Sequence, residues 1–219
     1  MSEVINAFLL AYAALFPIVN PIGGAPIFLS MTRQMRPEVR RGLARRIAIN
    51  GFCLLVASLF VGSHVLEFFG ITLPVVRIGG GLVVTAFAWK LLNDESNAID
   101  KRASEAGDRE EADPALDAFY PLTMPLTVGP GSISVAITLG SQRPKVPDGF
   151  ENLLMPAAGA VAGVLALAVT IYVCYRFADK IVAALGTSGT NVLTRLSAFI
   201  LLCIGIQILW NGYSALINP

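Results

Sequence analysis

The chain has 219 residues, of which 55% are hydrophobic and only 14% are charged, and its formal net charge is +1. This composition lies far outside that of soluble globular domains and is typical of a chain that packs against lipid. A net charge so close to zero gives no indication of nucleic-acid binding, and too little polar sequence remains for a separate soluble domain.

Six stretches reach the length of roughly 20 mostly apolar residues that is needed to cross the hydrocarbon core of a bilayer. We expect these spans at about residues 5–31, 47–69, 71–92, 118–141, 153–175 and 196–217. The first stretch lacks a basic leader and a small-residue cleavage site, so it is predicted to be a retained span. The predicted fold class is therefore an all-α membrane protein with six transmembrane helices.

The first and fourth spans carry prolines in register. The stretch "FPIVNPIGGAPIFLSMT", beginning at Phe16, aligns with "YPLTMPLTVGPGSISVAIT", beginning at Tyr120, at a constant offset of 104. The prolines that coincide are Pro17 with Pro121, Pro21 with Pro125, and Pro26 with Pro130. Because each half holds an odd number of spans, the second half must enter the membrane in the opposite orientation. We therefore predict two inverted three-helix repeats, residues 1–93 and 118–219, joined by an acidic cytoplasmic linker at residues 94–117.

The basic residues determine the predicted orientation, because cytoplasmic loops carry an excess of Lys and Arg. With the N-terminus outside, all but three of the 16 basic residues fall at or in the loops after spans 1, 3 and 5. The three exceptions are Arg77, Arg143 and Lys145. We therefore predict a bacterial inner-membrane protein with both termini on the periplasmic side.

Prolines also predict that the first and fourth helices are broken, since each removes a backbone donor and clashes with the preceding turn. Unpaired backbone groups at membrane depth persist where they are buried in protein or line a wet cavity. A half-helix beginning at Ala25 and Pro26, or at Gly129 and Pro130, would direct N–H groups into the gap, where they suit a carboxylate. Freed carbonyls upstream would suit an ammonium group or Na+, so a zwitterionic amino acid would satisfy both sets.

Paired breaks in corresponding repeats indicate the binding site of a transporter. The side chains near the breaks are polar but uncharged, which favours a small neutral solute. The residues predicted to bind it are Asn20, Pro21, Gly23, Gly24, Thr123, Thr127, Gly129, Gly131 and Ser132. Arg77 and Arg195, near the starts of spans 3 and 6, are candidate gates, although interfacial anchoring is the simpler interpretation of both.

Enzymatic functions are not favoured. Cys53, Cys174 and Cys203 lie in spans 2, 5 and 6, away from the breaks, which argues against a thiol electron conduit. Ser132 and Ser134 have no nearby base, which argues against an intramembrane hydrolase.

We predict no catalytic residue, metal site or cofactor, and the coupling ion stays open between Na+ and H+. The expected partners are a small-molecule solute and the lipid bilayer, without nucleic acid, and a homo-oligomer stays open.

With "NPIGGAP" in the first span and "MPLTVGPGSIS" in the fourth, the sequence resembles the MarC family of bacterial inner-membrane proteins over essentially the whole chain. Asn20, Pro21 and Gly23 match the family's Asn-Pro-x-Gly motif. The second-half counterpart is matched by Pro125, Gly129, Pro130 and Gly131. The family is similar to small neutral amino acid transporters and to exporters of the LysE type. The resemblance implies a secondary transporter of glycine, alanine, serine or threonine that works by alternating access, with a channel or regulatory membrane protein for another small polar solute as the alternative.

Overall fold

The computed structural model describes residues 2–32, 35–93, 118–141 and 150–217, and every element within them is helical. The first half holds α1 (Ser2–Val19), α2 (Pro21–Met31), α3 (Pro37–Phe68) and α4 (Leu73–Asn93). The second half holds a π-helical segment (Ala118–Thr127), α5 (Pro130–Ser141), α6 (Phe150–Arg176) and α7 (Ala178–Ile217). The linker predicted at residues 94–117 lies outside the described residues.

Four of the described helices are long and apolar enough to cross a membrane. They lie at Pro37–Phe68, Leu73–Lys90, Leu154–Arg176 and Ser188–Ile217. The bent pair of α1 and α2 forms a fifth candidate, with an angle of 41° between its two helices. The predicted fourth span, residues 118–141, is divided between the π-helical segment and α5, and neither piece is long enough alone. An all-helical membrane fold is thus confirmed, whereas the count of six spans stays a prediction.

The helices of the two halves pack against each other rather than forming separate bundles. Helix α4 lies along α7, α1 lies along α6, and α3 contacts both α5 and α6. The shorter helix after each interruption also crosses to the other half, since α2 packs on α7 and α5 packs on α4. The main core is buried between α1, α2, α3, α5 and α6, with Leu15, Phe28, Ile47, Val128 and Leu167 among its members.

The outer surface of the bundle is apolar. Leu9, Val169, Phe199 and Ile206 each expose more than half of their surface. Exposed apolar area on this scale marks an interaction surface in a soluble protein and is the expected lipid-facing surface in a membrane protein. The composition that excluded a soluble chain is therefore explained by where its apolar side chains lie.

Candidate solute-binding site

The first interruption is produced by Asn20, which lies between α1 and α2 in the left-handed conformation with φ 47° and ψ 58°. Asn is one of the few residues that adopt this conformation at low cost. Its side-chain Oδ1 accepts a hydrogen bond from the Gly23 N–H at 3.2 Å, and its own carbonyl accepts one from Gly24 at 2.9 Å. Asn20 therefore caps α2, and Pro21 occupies the first helical position, where a missing N–H costs nothing.

The predicted start of this half-helix at Ala25 and Pro26 is wrong. Helix α2 begins at Pro21, and Pro26 lies inside it. The physical reason is that Asn20 supplies both the turn and the cap, so the chain changes direction before it reaches the two glycines.

The second interruption begins with a segment that is helical only in part. Tyr120 (φ −129°, ψ 126°) and Met124 (φ −118°, ψ 121°) are extended, and each immediately precedes a proline. A proline ring disfavours helical geometry in the residue before it, which explains both positions. Helix α5 then begins at Pro130, as predicted, and its first helical hydrogen bond runs from Ile133 N–H to Gly129 O at 3.1 Å.

The two interruptions meet at one cavity of about 190 Å³. Its lining comes from the end of α1, the start of α2, the end of the π-helical segment, the start of α5, and the middles of α4 and α7. The lining residues are Ile18, Val19, Asn20, Gly23, Gly24, Ile27, Val83, Val84, Phe87, Leu126, Thr127, Gly129, Pro130, Gly131, Ser132, Thr194, Ser197, Ala198 and Leu201. None of them is charged, so the wall is apolar with a few polar groups.

Seven of the nine residues that were predicted to bind the solute line this cavity. They are Asn20, Gly23, Gly24, Thr127, Gly129, Gly131 and Ser132. Pro21 and Thr123 are buried behind the wall, and the Thr123 hydroxyl donates to the carbonyl of Ala118. The candidate gates lie away from it, because Arg77 donates to Thr138 at 3.4 Å and Arg195 is exposed.

Most polar side chains of the wall are already hydrogen bonded within the protein. Ser132 Oγ donates to Gly129 O at 2.9 Å, and Thr194 Oγ1 donates to Thr190 O at 2.9 Å. Thr127 Oγ1 donates to Leu122 O at 2.7 Å. The Ser197 hydroxyl differs, since it has no hydrogen-bond partner within the part of the chain that the structure describes.

Tyr175 of α6 joins the two interrupted regions from behind the cavity. It is 1% exposed, its ring stacks on Phe28 of α2 with centroids 4.6 Å apart, and its hydroxyl lies 2.9 Å from Thr127 Oγ1. Because the single Thr127 proton is given to Leu122, the Tyr175 hydroxyl must donate and Thr127 must accept. A Cβ on Gly24 would lie 2.7 Å from this hydroxyl, so any larger residue at this position would displace the hydroxyl from its place beside Thr127.

Sequence reasoning missed Thr194, Ser197 and Tyr175. For Ser197 the signal was a polar residue inside the apolar run "RLSAFILL", and for Tyr175 it was the hydroxyl of an aromatic residue at the end of a span.

The three cysteines are free thiols, two of them exposed and Cys174 buried. Among the described residues, no three His, Cys, Asp or Glu side chains lie close enough to hold a metal ion.

The fold is all-helical, its outer surface is apolar, and its two interrupted regions meet at an uncharged cavity. These features define a polytopic membrane protein with an internal cavity. The model of the MarC family of integral membrane proteins matches residues 5–217, so the chain belongs to this family. It is 29% identical to the inner membrane protein MarC of Salmonella typhimurium strain LT2 and to that of Escherichia coli strain SMS-3-5. Both matches cover 100% of this chain and 99% of the relative. No solved structure matches the chain.

Proposed function

We propose that the chain is a secondary transporter of small neutral amino acids such as glycine, alanine, serine or threonine. The observation that carries this proposal is the single cavity at which both interrupted helices end, with a wall that has no charged side chain. Burying a net charge there would be costly because no compensating charge lines the cavity. A zwitterion has no net charge, and its two ends match backbone groups that helix interruptions leave free.

The backbone near the cavity has both free carbonyl acceptors and free N–H donors. At the end of α1, Pro17 O lacks its helical donor because Pro21 has no N–H, and Val19 O lacks its donor because Gly23 N–H bonds to Asn20. At the start of α5, the N–H groups of Gly131 and Ser132 precede the first helical bond. Carbonyl oxygens suit the ammonium group, and the N–H groups at a helix start suit the carboxylate.

The size of the cavity supports a small ligand. About 190 Å³ is far more than one water molecule requires, but it is below the roughly 300–1,000 Å³ of pockets that hold drug-sized ligands. Amino acids with short side chains fall between these limits. Efflux of large drugs is therefore not favoured.

The packing pattern supports an inverted repeat and alternating access. Each short helix that follows an interruption packs on the last long helix of the other half, α2 on α7 and α5 on α4. A twofold axis in the membrane plane would exchange these two contacts. Rocking of one half against the other would then expose the cavity to each side in turn.

Reconstitution tests the proposal. We expect purified protein in liposomes to take up labelled glycine, alanine, serine or threonine in a saturable manner, above the level of protein-free liposomes. Separate Na+ and proton gradients would identify the coupling ion. Absence of flux for all four amino acids under every gradient would contradict the proposal, and non-saturable flux would indicate the channel alternative.

A further inference from the structure

Two side-chain hydrogen-bond donors at the cavity have no acceptor among the described residues. Ser197 is 9% exposed, lines the cavity and has no partner among the described residues. A serine on a helix ordinarily donates to the carbonyl one turn earlier, as Thr194 does on the same helix. A buried hydroxyl without a partner is costly and therefore points to a ligand that supplies one.

The second free donor is the side-chain amide nitrogen of Asn20. Because Oδ1 accepts from the Gly23 N–H, the remaining atom of this amide is Nδ2, and it has no acceptor within the described ranges. Asn20 is partly buried and also lines the cavity.

Both donors flank Gly23. A Cβ built on Gly23 would lie 2.5 Å from Asn20 Nδ2 and 2.6 Å from Ser197 Oγ. Since both atoms lie this close to one point, they are no more than 5.1 Å apart. The two oxygens of a carboxylate can accept from two donors at that separation.

The start of α2 offers few backbone donors to an anion. Pro21 has no N–H, and the amides of Gly23 and Gly24 already donate to Asn20. The Asn20 and Ser197 side chains therefore supplement the few backbone donors at the start of α2. The start of α5, which lines the same cavity, adds a positive potential.

We infer that the Ser197 hydroxyl and the Asn20 amide together bind the carboxylate of the transported amino acid. This inference rests on the proposed function. The amino group then lies toward the carbonyl oxygens at the end of α1, and the side chain lies against the apolar wall formed by residues such as Val84 and Leu201.

Binding of alanine to the full-length protein in detergent tests the inference. We expect Ser197→Ala to lower the affinity for alanine about ten-fold, the effect of losing one hydrogen bond to a charged group. The same change should leave the weak binding of isopropylamine, which carries a methyl group in place of the carboxylate, unaltered. The matched control is Thr190→Val on the same helix, which removes a hydroxyl that is bonded to its own helix and lies outside the cavity; the affinity for alanine should stay unchanged.

The outcomes separate the two claims. Unchanged alanine affinity in Ser197→Ala, or an equal loss for isopropylamine and alanine, would overturn the role of Ser197 and leave the proposed function standing. Failure of the wild-type protein to bind or transport any of the four amino acids would overturn the proposed function. The melting temperature of ligand-free Ser197→Ala should equal or exceed that of the wild type, because the lost hydroxyl is buried and has no partner among the described residues.

Discussion

Gly23 is a position at which a single methyl group should disturb both helix packing and the cavity wall. A Cβ there would lie 2.7 Å from Ser197 Cβ, and both residues are on helices, so α2 and α7 would have to move apart. We expect Gly23→Ala to lower the free energy of unfolding by about 1–3 kcal/mol, as overpacking does, and to abolish alanine binding. Thermal unfolding in detergent would measure the first effect and equilibrium dialysis the second.

The control for this substitution is Gly79→Ala on α4. A Cβ at Gly79 meets no atom within 4 Å, so stability should stay the same or rise slightly with the better helix propensity of alanine. Equal behaviour of the two variants would contradict the close approach of α2 and α7.

Asn20 combines a backbone and a ligand role that two substitutions can separate. Asn20→Ala should destabilise the protein by about 2 kcal/mol, because alanine is strained at positive φ and cannot cap α2. Asn20→Gly removes the strain and should cost only a few tenths of a kcal/mol. Both variants lose the amide donor, so both should bind alanine more weakly. A fully stable Asn20→Gly with unchanged affinity would contradict the ligand role.

At the scale of elements, Tyr175 connects α6 to the segment before the second interruption. We expect Tyr175→Phe to cost about 1 kcal/mol through the lost hydrogen bond to Thr127. Thr127→Val should cost more, since it leaves the buried Tyr175 hydroxyl and the Leu122 carbonyl unpaired. The double variant should therefore cost less than the sum, with a coupling of about 1 kcal/mol in thermal or denaturant unfolding.

Tyr172→Phe is the matched control on the same helix. The Tyr172 hydroxyl accepts from the exposed Arg176 at 2.7 Å, and exposed pairs of this kind contribute little. Additive losses in the Tyr175 and Thr127 cycle, or a larger loss for Tyr172→Phe, would argue against the connection.

The elements also show what the sequence could and could not predict about the interruptions. The paired prolines predicted that both helices break. Because each segment contains three prolines, the pattern did not predict which proline begins the new helix. Pro130 follows a glycine and a break, as predicted, whereas Pro26 lies within α2. The Asn20–Pro21 pair carried the missing signal, because Asn is a preferred capping residue and Pro a preferred first helical residue.

For the whole molecule, composition and the lengths of the apolar stretches predicted an all-helical membrane chain, because a run of roughly 20 apolar residues is a property of the local sequence. The cavity wall was predicted only where it is made by the interrupted segments themselves. The rest of the wall comes from α4, with Val84, and from α7, with Ser197 and Leu201. These residues lie together only because α4 packs on α7, and no local sequence pattern predicts that contact. The lack of a partner for the Ser197 hydroxyl among the described residues is likewise a property of the folded chain.

Basic residues from distant parts of the chain lie together at one end of the bundle. Arg40 of α3 donates to Asp179 of α7 at 2.6 Å, and Arg41, Arg176 and Lys180 line a second cavity of about 160 Å³ with them. The start of α3 and the junction of α6 with α7 therefore lie at the same end. The charge distribution predicts that both regions are cytoplasmic, and the orientation of α3 tests this prediction directly.

Single cysteines at the two ends of α3 provide that test. In a background of Cys53→Ser, Cys174→Ala and Cys203→Ser, we expect Phe69→Cys to react with a membrane-impermeant maleimide in intact cells, because Phe69 is 67% exposed and lies at the end of α3 that is predicted to be outside. Gly42→Cys, at an exposed position with nothing within 4 Å of its Cβ, should react only after permeabilisation. Reversed labelling would place both termini in the cytoplasm. Labelling of both sites in intact cells would mean that α3 does not cross the membrane, and the inverted repeat would then fail with it.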